Sequence, residues 1–211
     1  CFEKSFASSE NSKFWIETEN IGSPRDYFKF SSRKALFLCI FCGHTINKTL
    51  CSVSSGKWCY FCSSEQLCEQ ENCNFCYRKS FASHSKAEFW DSEKNIIFPR
   101  FIFKNANQSF WFLCFCGHSI YLLICNVATG HWCPYCANKK LCGNKDCLKC
   151  LANSFASHYL SEFWDPDNIG KPRDVFLNSG KRAKFICSNG HKFEMRIAGV
   201  NCGYWCPICK K

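Results

Sequence analysis

Residues 37–44 read FLCIFCGH, residues 112–118 read FLCFCGH and residues 185–191 read FICSNGH. Each stretch is answered downstream by a second cysteine pair, in GKWCYFC (56–62), GHWCPYC (130–136) and GYWCPIC (203–209). From His44 to Cys59, His118 to Cys133 and His191 to Cys206 the distance is 15 residues each time. Working outward, a Pro-Arg pair precedes the first cysteine, and Pro24, Pro99 and Pro172 again stand 15 residues before it. Cys114 follows Cys39 by 75 residues, and Cys187 follows Cys114 by 73. A period this regular marks one structural unit copied in tandem. Loops drift in length, so fixed spacing on both sides ties both cysteine pairs to one object. The residue types make that object a metal ion.

The three passes run Cys1–Cys62, Cys76–Cys136 and Cys150–Cys209 and nearly fill the 211 residues. A unit of about 60 residues builds little core and needs a staple. The odd count of 21 cysteines suits a disulfide framework poorly, whereas Cys-x-x-Cys with a nearby His is zinc spacing. Zinc with free thiols implies a reducing compartment: cytoplasm, nucleus or a virus factory. No run approaches 18 apolar residues, so no membrane segment is expected. The formal charge is +10, from 27 basic and 17 acidic residues. Five sites of three Cys and one His would each add −1 and leave about +5.

Two site types are expected. The first closes within a pass: Cys187, His191, Cys206 and Cys209 in the third, Cys114, His118, Cys133 and Cys136 in the second. The first pass carries one inserted residue, so Cys39, Cys42 and His44 compete for two places beside Cys59 and Cys62. A His occurs in all three copies, which favours His44 with one of the two cysteines; Cys116 poses the same question in the second pass. The second type lies in the linkers. Cys68, Cys73 and Cys76 are followed by His84, and Cys142, Cys147 and Cys150 by His158, with identical spacing. In the first pass this register holds only Cys1 and Ser9, so no such site is expected there, and the sequence is expected to begin within a motif. The expected total is about five zinc ions. A second ligand pair at fixed spacing argues against redox dithiols.

Between these ligands, Ser-Phe-Ala-Ser before each Phe-Trp pair predicts a short capped helix, ended near the Pro-Arg pair. Alternating aromatics then predict a strand into Cys39, Cys114 or Cys187, a Gly-His turn, and a second strand through Ile46, Ile120 or Phe193. The Phe-Trp pairs and Trp58, Trp132 and Trp205 are expected to pack cores. Cys51 and Cys125, in register with Ala198, are expected in the core too; Cys202 is expected as an unpaired thiol and His131 at the surface.

The combination of SFASH, FWD, Pro-Arg, C-x-x-(C)GH and G-x-WCPYC resembles the zinc-ribbon or treble-clef repeats found in tandem in proteins of large DNA viruses. Related copies occur in bacteria, some beside nuclease domains. The resemblance covers essentially the whole chain and departs at Ser9, at the insertion near Cys42 and at Tyr60. It implies structural zinc in a unit of knuckle, β-hairpin, second knuckle and short helix. The expected fold is therefore small α+β and metal-stabilised. It comprises three tandem treble-clef-like zinc units, each a β-hairpin plus short helices, joined by zinc-stapled linkers. The segments are 1–62, 63–136 and 137–211.

The expected function is non-catalytic binding of DNA or RNA, from basic charge and repeated units along a polymer. Candidate phosphate contacts are Arg33, Lys34, Lys181 and Arg182, and the Pro-Arg residues Arg25, Arg100 and Arg173. The alternative is a protein-interaction or virion scaffold, which would place the chain in the virion; an accessory domain of a nuclease is a remote third. No repeated nucleophile–base or paired-carboxylate constellation is visible, so neither catalysis nor a small-molecule substrate is expected.

Overall fold

The computed structural model describes residues 1–209; the last two residues of the 137–211 segment lie outside them. The chain forms two compact units, 1–87 with 96–106, and 88–95 with 107–211. These do not follow the repeat: residues 76–87, which open the second pass, belong to the first unit.

The first unit opens with two 3-10 turns, Phe6–Ser8 and Glu10–Phe14, where the sequence predicts a single short helix. Ser5 starts the first without a side-chain cap; its hydroxyl donates instead to the Phe2 carbonyl, 2.7 Å away. Pro24 begins a further 3-10 turn, Pro24–Asp26, rather than ending a segment. Proline suits that first position, where no N–H is required. Strands β1 (Lys34–Leu38) and β2 (Thr45–Thr49) form an antiparallel hairpin with Phe37 opposite Ile46. Alternation turns Ala35, Phe37 and Ile46 inward. Helix α1 (Leu50–Ser54) follows, capped by Thr49, whose Oγ1 accepts the Ser52 N–H at 3.2 Å.

Leu50 and Val53 of α1 reach the core, while Cys51 is exposed, contrary to the sequence expectation. One residue along a helix turns the side chain by about 100°, away from the core face. Cys125 is likewise only partly buried. Phe6, Trp15, Phe37, Ile46, Leu50, Val53, Cys39 and Cys59 form one cluster, with Phe14 and Trp58 packed against it. Helix α2 (Asn74–Lys79) then leads into the turns Phe81–Ser83 and Pro99–Phe101.

The second unit repeats this plan. Its elements are β3 (Ser109–Leu113), β4 (Ser119–Leu123), α3 (Ile124–Ala128), α4 (Leu148–Asn153), β5 (Arg182–Ile186), β6 (Lys192–Arg196) and α5 (Ile197–Asn201). β3 pairs with β4 and β5 with β6, both antiparallel. Around the last hairpin Phe155, Leu160, Phe185, Ile197 and Val200 make the core, with Trp164 and Trp205 against it. The architecture is thus small α+β, built from two-stranded hairpins and short helices. The helix of each hairpin precedes the closing cysteine pair, and a second helix follows the pair after the first two hairpins.

One recurring device escaped the sequence reading. Asn20 donates its amide to the Leu36 carbonyl (2.7 Å) and accepts the Leu36 N–H (2.8 Å). Asn95 does the same to Trp111, and Asn168 to Lys184. Each asparagine supplies the acceptor that a neighbouring strand would otherwise give to the hairpin edge, and a second donor to a carbonyl that already accepts the Ile16, Asp91 or Asp165 N–H.

Candidate metal centres

The first knuckle of each repeat is the tip of a hairpin. The N–H of Cys39, Cys114 and Cys187 donates to the carbonyl of His44, His118 and His191, at 2.9, 3.0 and 3.1 Å. Gly43, Gly117 and Gly190 take φ of +72°, +75° and +79°, a left-handed turn that glycine enters without steric cost. The tip therefore carries a cysteine and a histidine on a short, closed loop. The second Cys-x-x-Cys approaches it from beyond α1, α3 or α5.

Five groups of four donors result, each with its ligand atoms within 4.8 Å of one another. Cys39, Cys42, Cys59 and Cys62 form the first, with sulfur pairs at 3.5 and 3.6 Å. Sulfurs around a tetrahedral zinc at about 2.3 Å stand about 3.8 Å apart. His44 is not in this group, although the sequence reading preferred it there. Cys42, the residue before Gly43-His44, takes the place beside Cys59 instead. His44 instead joins Cys68, Cys73 and Cys76, with Nε2 3.2 Å from Cys73 Sγ and 3.6 Å from Cys76 Sγ.

In the second unit Cys114, Cys133 and Cys136 gather with His118, and His118 also completes the group of Cys142, Cys147 and Cys150. Its Nδ1 faces the first three sulfurs at 3.6, 3.7 and 3.9 Å. Its Nε2 lies 3.2 and 3.5 Å from Cys147 and Cys150. Cys187, His191, Cys206 and Cys209 form the fifth group, with His191 Nδ1 3.3 Å from Cys209 Sγ.

The linker cysteines thus gather as spaced in the sequence, but their fourth donor comes from the preceding hairpin. His84 and His158 lie outside the groups. The His84 ring stacks on Phe81 at 5.2 Å and its Nδ1 accepts the Lys86 N–H; His158 stacks on Phe155 at 5.4 Å and accepts the Leu160 N–H. Burial lowers the basicity of both, aided at His84 by Lys86 and Lys104. Their fixed register reflects a packing role.

The five arginines proposed as phosphate contacts have other partners. Arg100 donates to the Gln70 carbonyl at 2.8 Å and to Cys68 Sγ at 3.5 Å. Arg173 donates to the Asn144 carbonyl at 3.0 Å and approaches Cys142 Sγ at 4.0 Å. Arg25, whose repeat lacks the linker cysteines, donates to Ser5 Oγ and lies over Phe2. Arg182 pairs with Glu194 at 3.0 Å, and Arg33 lies over the Tyr27 ring. Lys34 and Lys181 are exposed.

The thiols share charge unequally. Burial pushes Cys68 up, but hydrogen bonds from His44, Cys73, Cys76 and Arg100 outweigh it and bring it to about 6. Its neighbour Cys76 is raised to about 11, by burial and then by the Cys68 charge. Cys142 is lowered against burial by the Asn144 backbone and then by Cys150, Cys147 and Arg173, and Cys150 is raised to about 11, chiefly by burial. One thiolate forms easily and resists the next, so full ionisation of such a group calls for a cation.

These features define a repeated module with five sets of cysteine and histidine donors among the described residues, two of them sharing His118, that could hold metal ions. All described cysteines are free of disulfides, and no described helix is long and apolar enough to cross a membrane. The chain is similar to an uncharacterised protein of Acanthamoeba polyphaga mimivirus, 39% identical over 200 residues. That match covers 92% of this chain and 48% of the relative, so the chain spans about half the relative's length. No family model matches the chain.

Proposed function

We propose that the chain is a zinc-stapled, treble-clef-like repeat module of a large DNA virus that binds nucleic acid without catalysis. Zinc is the ion that suits closed sets of three or four thiolates with at most one imidazole. Four side-chain donors leave no open coordination position, which suits a structural role rather than a hydrolytic one.

The observation that carries the nucleic-acid reading is a cleft at the same register position of the first two repeats. Phe28 borders a cleft of about 590 Å³ with Lys4 and Lys29. Phe103 borders one of about 390 Å³ with Lys79 and Lys104; Lys79 Nζ donates to the Phe61 and Cys62 carbonyls, which leaves Lys104 to meet a phosphate. The cleft beside Phe176 is lined differently, by Asp174 and linker residues 140–143. An aromatic face beside lysines is what a stacked base and its phosphate require. Net charge alone supports less: sixteen thiolates with five dications add −6, leaving +4 of the formal +10.

The test is fluorescence anisotropy with single-stranded DNA and RNA at 50 and 200 mM salt. Two or three phosphate contacts predict a loss of about tenfold across that range. The double variant Phe28→Ala, Lys29→Gln should weaken binding by about tenfold more while the metal count stays unchanged. A salt-independent or undetectable affinity would reject this reading. It would favour a protein-docking scaffold, to which the exposed knuckle residues Ile40, Phe41 and Phe115 are suited.

A further inference from the structure

The second unit presents a shortage of donors. Its first two groups hold Cys114, Cys133, Cys136, Cys142, Cys147, Cys150 and one histidine, His118, counted in both. Two tetrahedral ions need eight donors, and these residues supply seven. A neutral imidazole offers a lone pair on only one nitrogen, the other carrying the proton. His118 can therefore complete one group, and the other lacks a ligand.

The first unit shows how such a shortage is met. There the residue before Gly43-His44 is Cys42, which lies 3.5 Å from Cys59, and His44 turns its Nε2 to the linker cysteines. The residue before Gly117-His118 is Cys116. Its thiol is partly buried on the same knuckle and stands just outside the donor set of Cys114, His118, Cys133 and Cys136, so it ligates by turning in as His118 turns out. In the third repeat the equivalent residue is Asn189, which cannot serve as a thiolate and instead donates to Cys209 Sγ at 3.3 Å. There His191 turns Nδ1 to its own knuckle.

Resting on the zinc reading above, we infer that Cys116 is the eighth donor. It closes a four-cysteine site with Cys114, Cys133 and Cys136 and releases His118 to the linker site of Cys142, Cys147 and Cys150. His118 then ligates through Nε2 and carries its proton on Nδ1, aimed at the thiolates of the neighbouring site. A metal-bound histidine commonly donates its second ring N–H in this way. A cysteine before Gly-His thereby frees the histidine for the following linker, whereas His191, with Asn189 before its Gly-His, stays at its own knuckle.

Cadmium-113 substitution tests this, because the cadmium NMR shift reports how many thiolates surround each ion. Cadmium alone is the probe, and native mass spectrometry supplies the ion count. The expected result is five ions, two with four sulfurs and three with three sulfurs and one nitrogen. Cys116→Ser should remove one four-sulfur resonance, as Cys42→Ser should remove the other. Five ions with a single four-sulfur resonance, unchanged by Cys116→Ser, would overturn the assignment and leave His118 bridging two metals. Binding of no cadmium or zinc would instead overturn the metal reading itself. Alkylation of the zinc-loaded parent chain needs no variant. Cys1, Cys51, Cys125 and Cys202 should label and Cys116 should be protected, whereas labelling of Cys116 as fast as Cys51 would reject the inference.

Discussion

At the residue scale the site divides into what spacing reveals and what it hides. Cys68, Cys73 and Cys76 and their second copy were legible because two independent linkers keep one spacing. Their fourth donor was not. His44 stands 29 residues before Cys73, and nothing local marks the pair. His84 looked suitable because its register is fixed, yet fixed register follows from packing as well as from ligation. Arg100 was equally ambiguous. Its guanidinium reaches a metal-group thiol and the carbonyl of the same loop. Removing such outer partners typically costs 10–100-fold in metal affinity. Arg100→Ala should therefore release the first linker ion to a chelator about tenfold faster, as read by a colorimetric zinc indicator. His84→Ala should leave the ion count at five. A four-ion His84 variant would restore that histidine as a ligand.

At the element scale the hairpins were the most legible part. Alternating apolar residues placed both strands, and the Gly-His turn placed the tip between them. The leading turns were less so: Ser-Phe-Ala-Ser gives 3-10 turns because each Ser hydroxyl bonds back to a carbonyl rather than forward to a free N–H. The asparagine clamp was visible only as a repeated Asn after each Phe-Trp, a residue ordinarily read as loop. Asn168 forms two hydrogen bonds with Lys184 of β5. Asn168→Ala should cost about 1 kcal/mol, since the Lys184 N–H loses its partner while the Lys184 carbonyl keeps the Asp165 N–H. Asn168→Asp keeps the acceptor but sets a carboxylate oxygen against the Lys184 carbonyl, and should be no better. Urea unfolding at a fixed free-zinc concentration checks this, because ligand concentration itself shifts stability. Wild-type stability in both variants would refute the clamp.

At the scale of the whole molecule the question is what holds units of this size together. The hairpin cores are real but small: six buried hydrophobic residues around the third hairpin, among them Phe155 and Phe185. Such a core rarely outweighs the entropy of ordering its chain. The linker sites add a different kind of tie. His44 leaves its own knuckle to join three cysteines that sit up to 32 residues later, and α2 starts inside that set. Metal affinity here is folding affinity, because an unfolded chain holds no preformed site. Excess chelator should therefore abolish the near-ultraviolet dichroism of the tryptophans, and added zinc should restore it. Cys73→Ser should lower the ion count from five to four while the four-cysteine site of the first hairpin stays filled. The loss must then appear in α2 and the leading turns of the second repeat, as faster amide exchange over residues 68–83, with β1 and β2 still protected. If exchange instead rises equally in β1 and β2, the linker ion and the hairpin fold as one unit, and the picture of a separable staple fails.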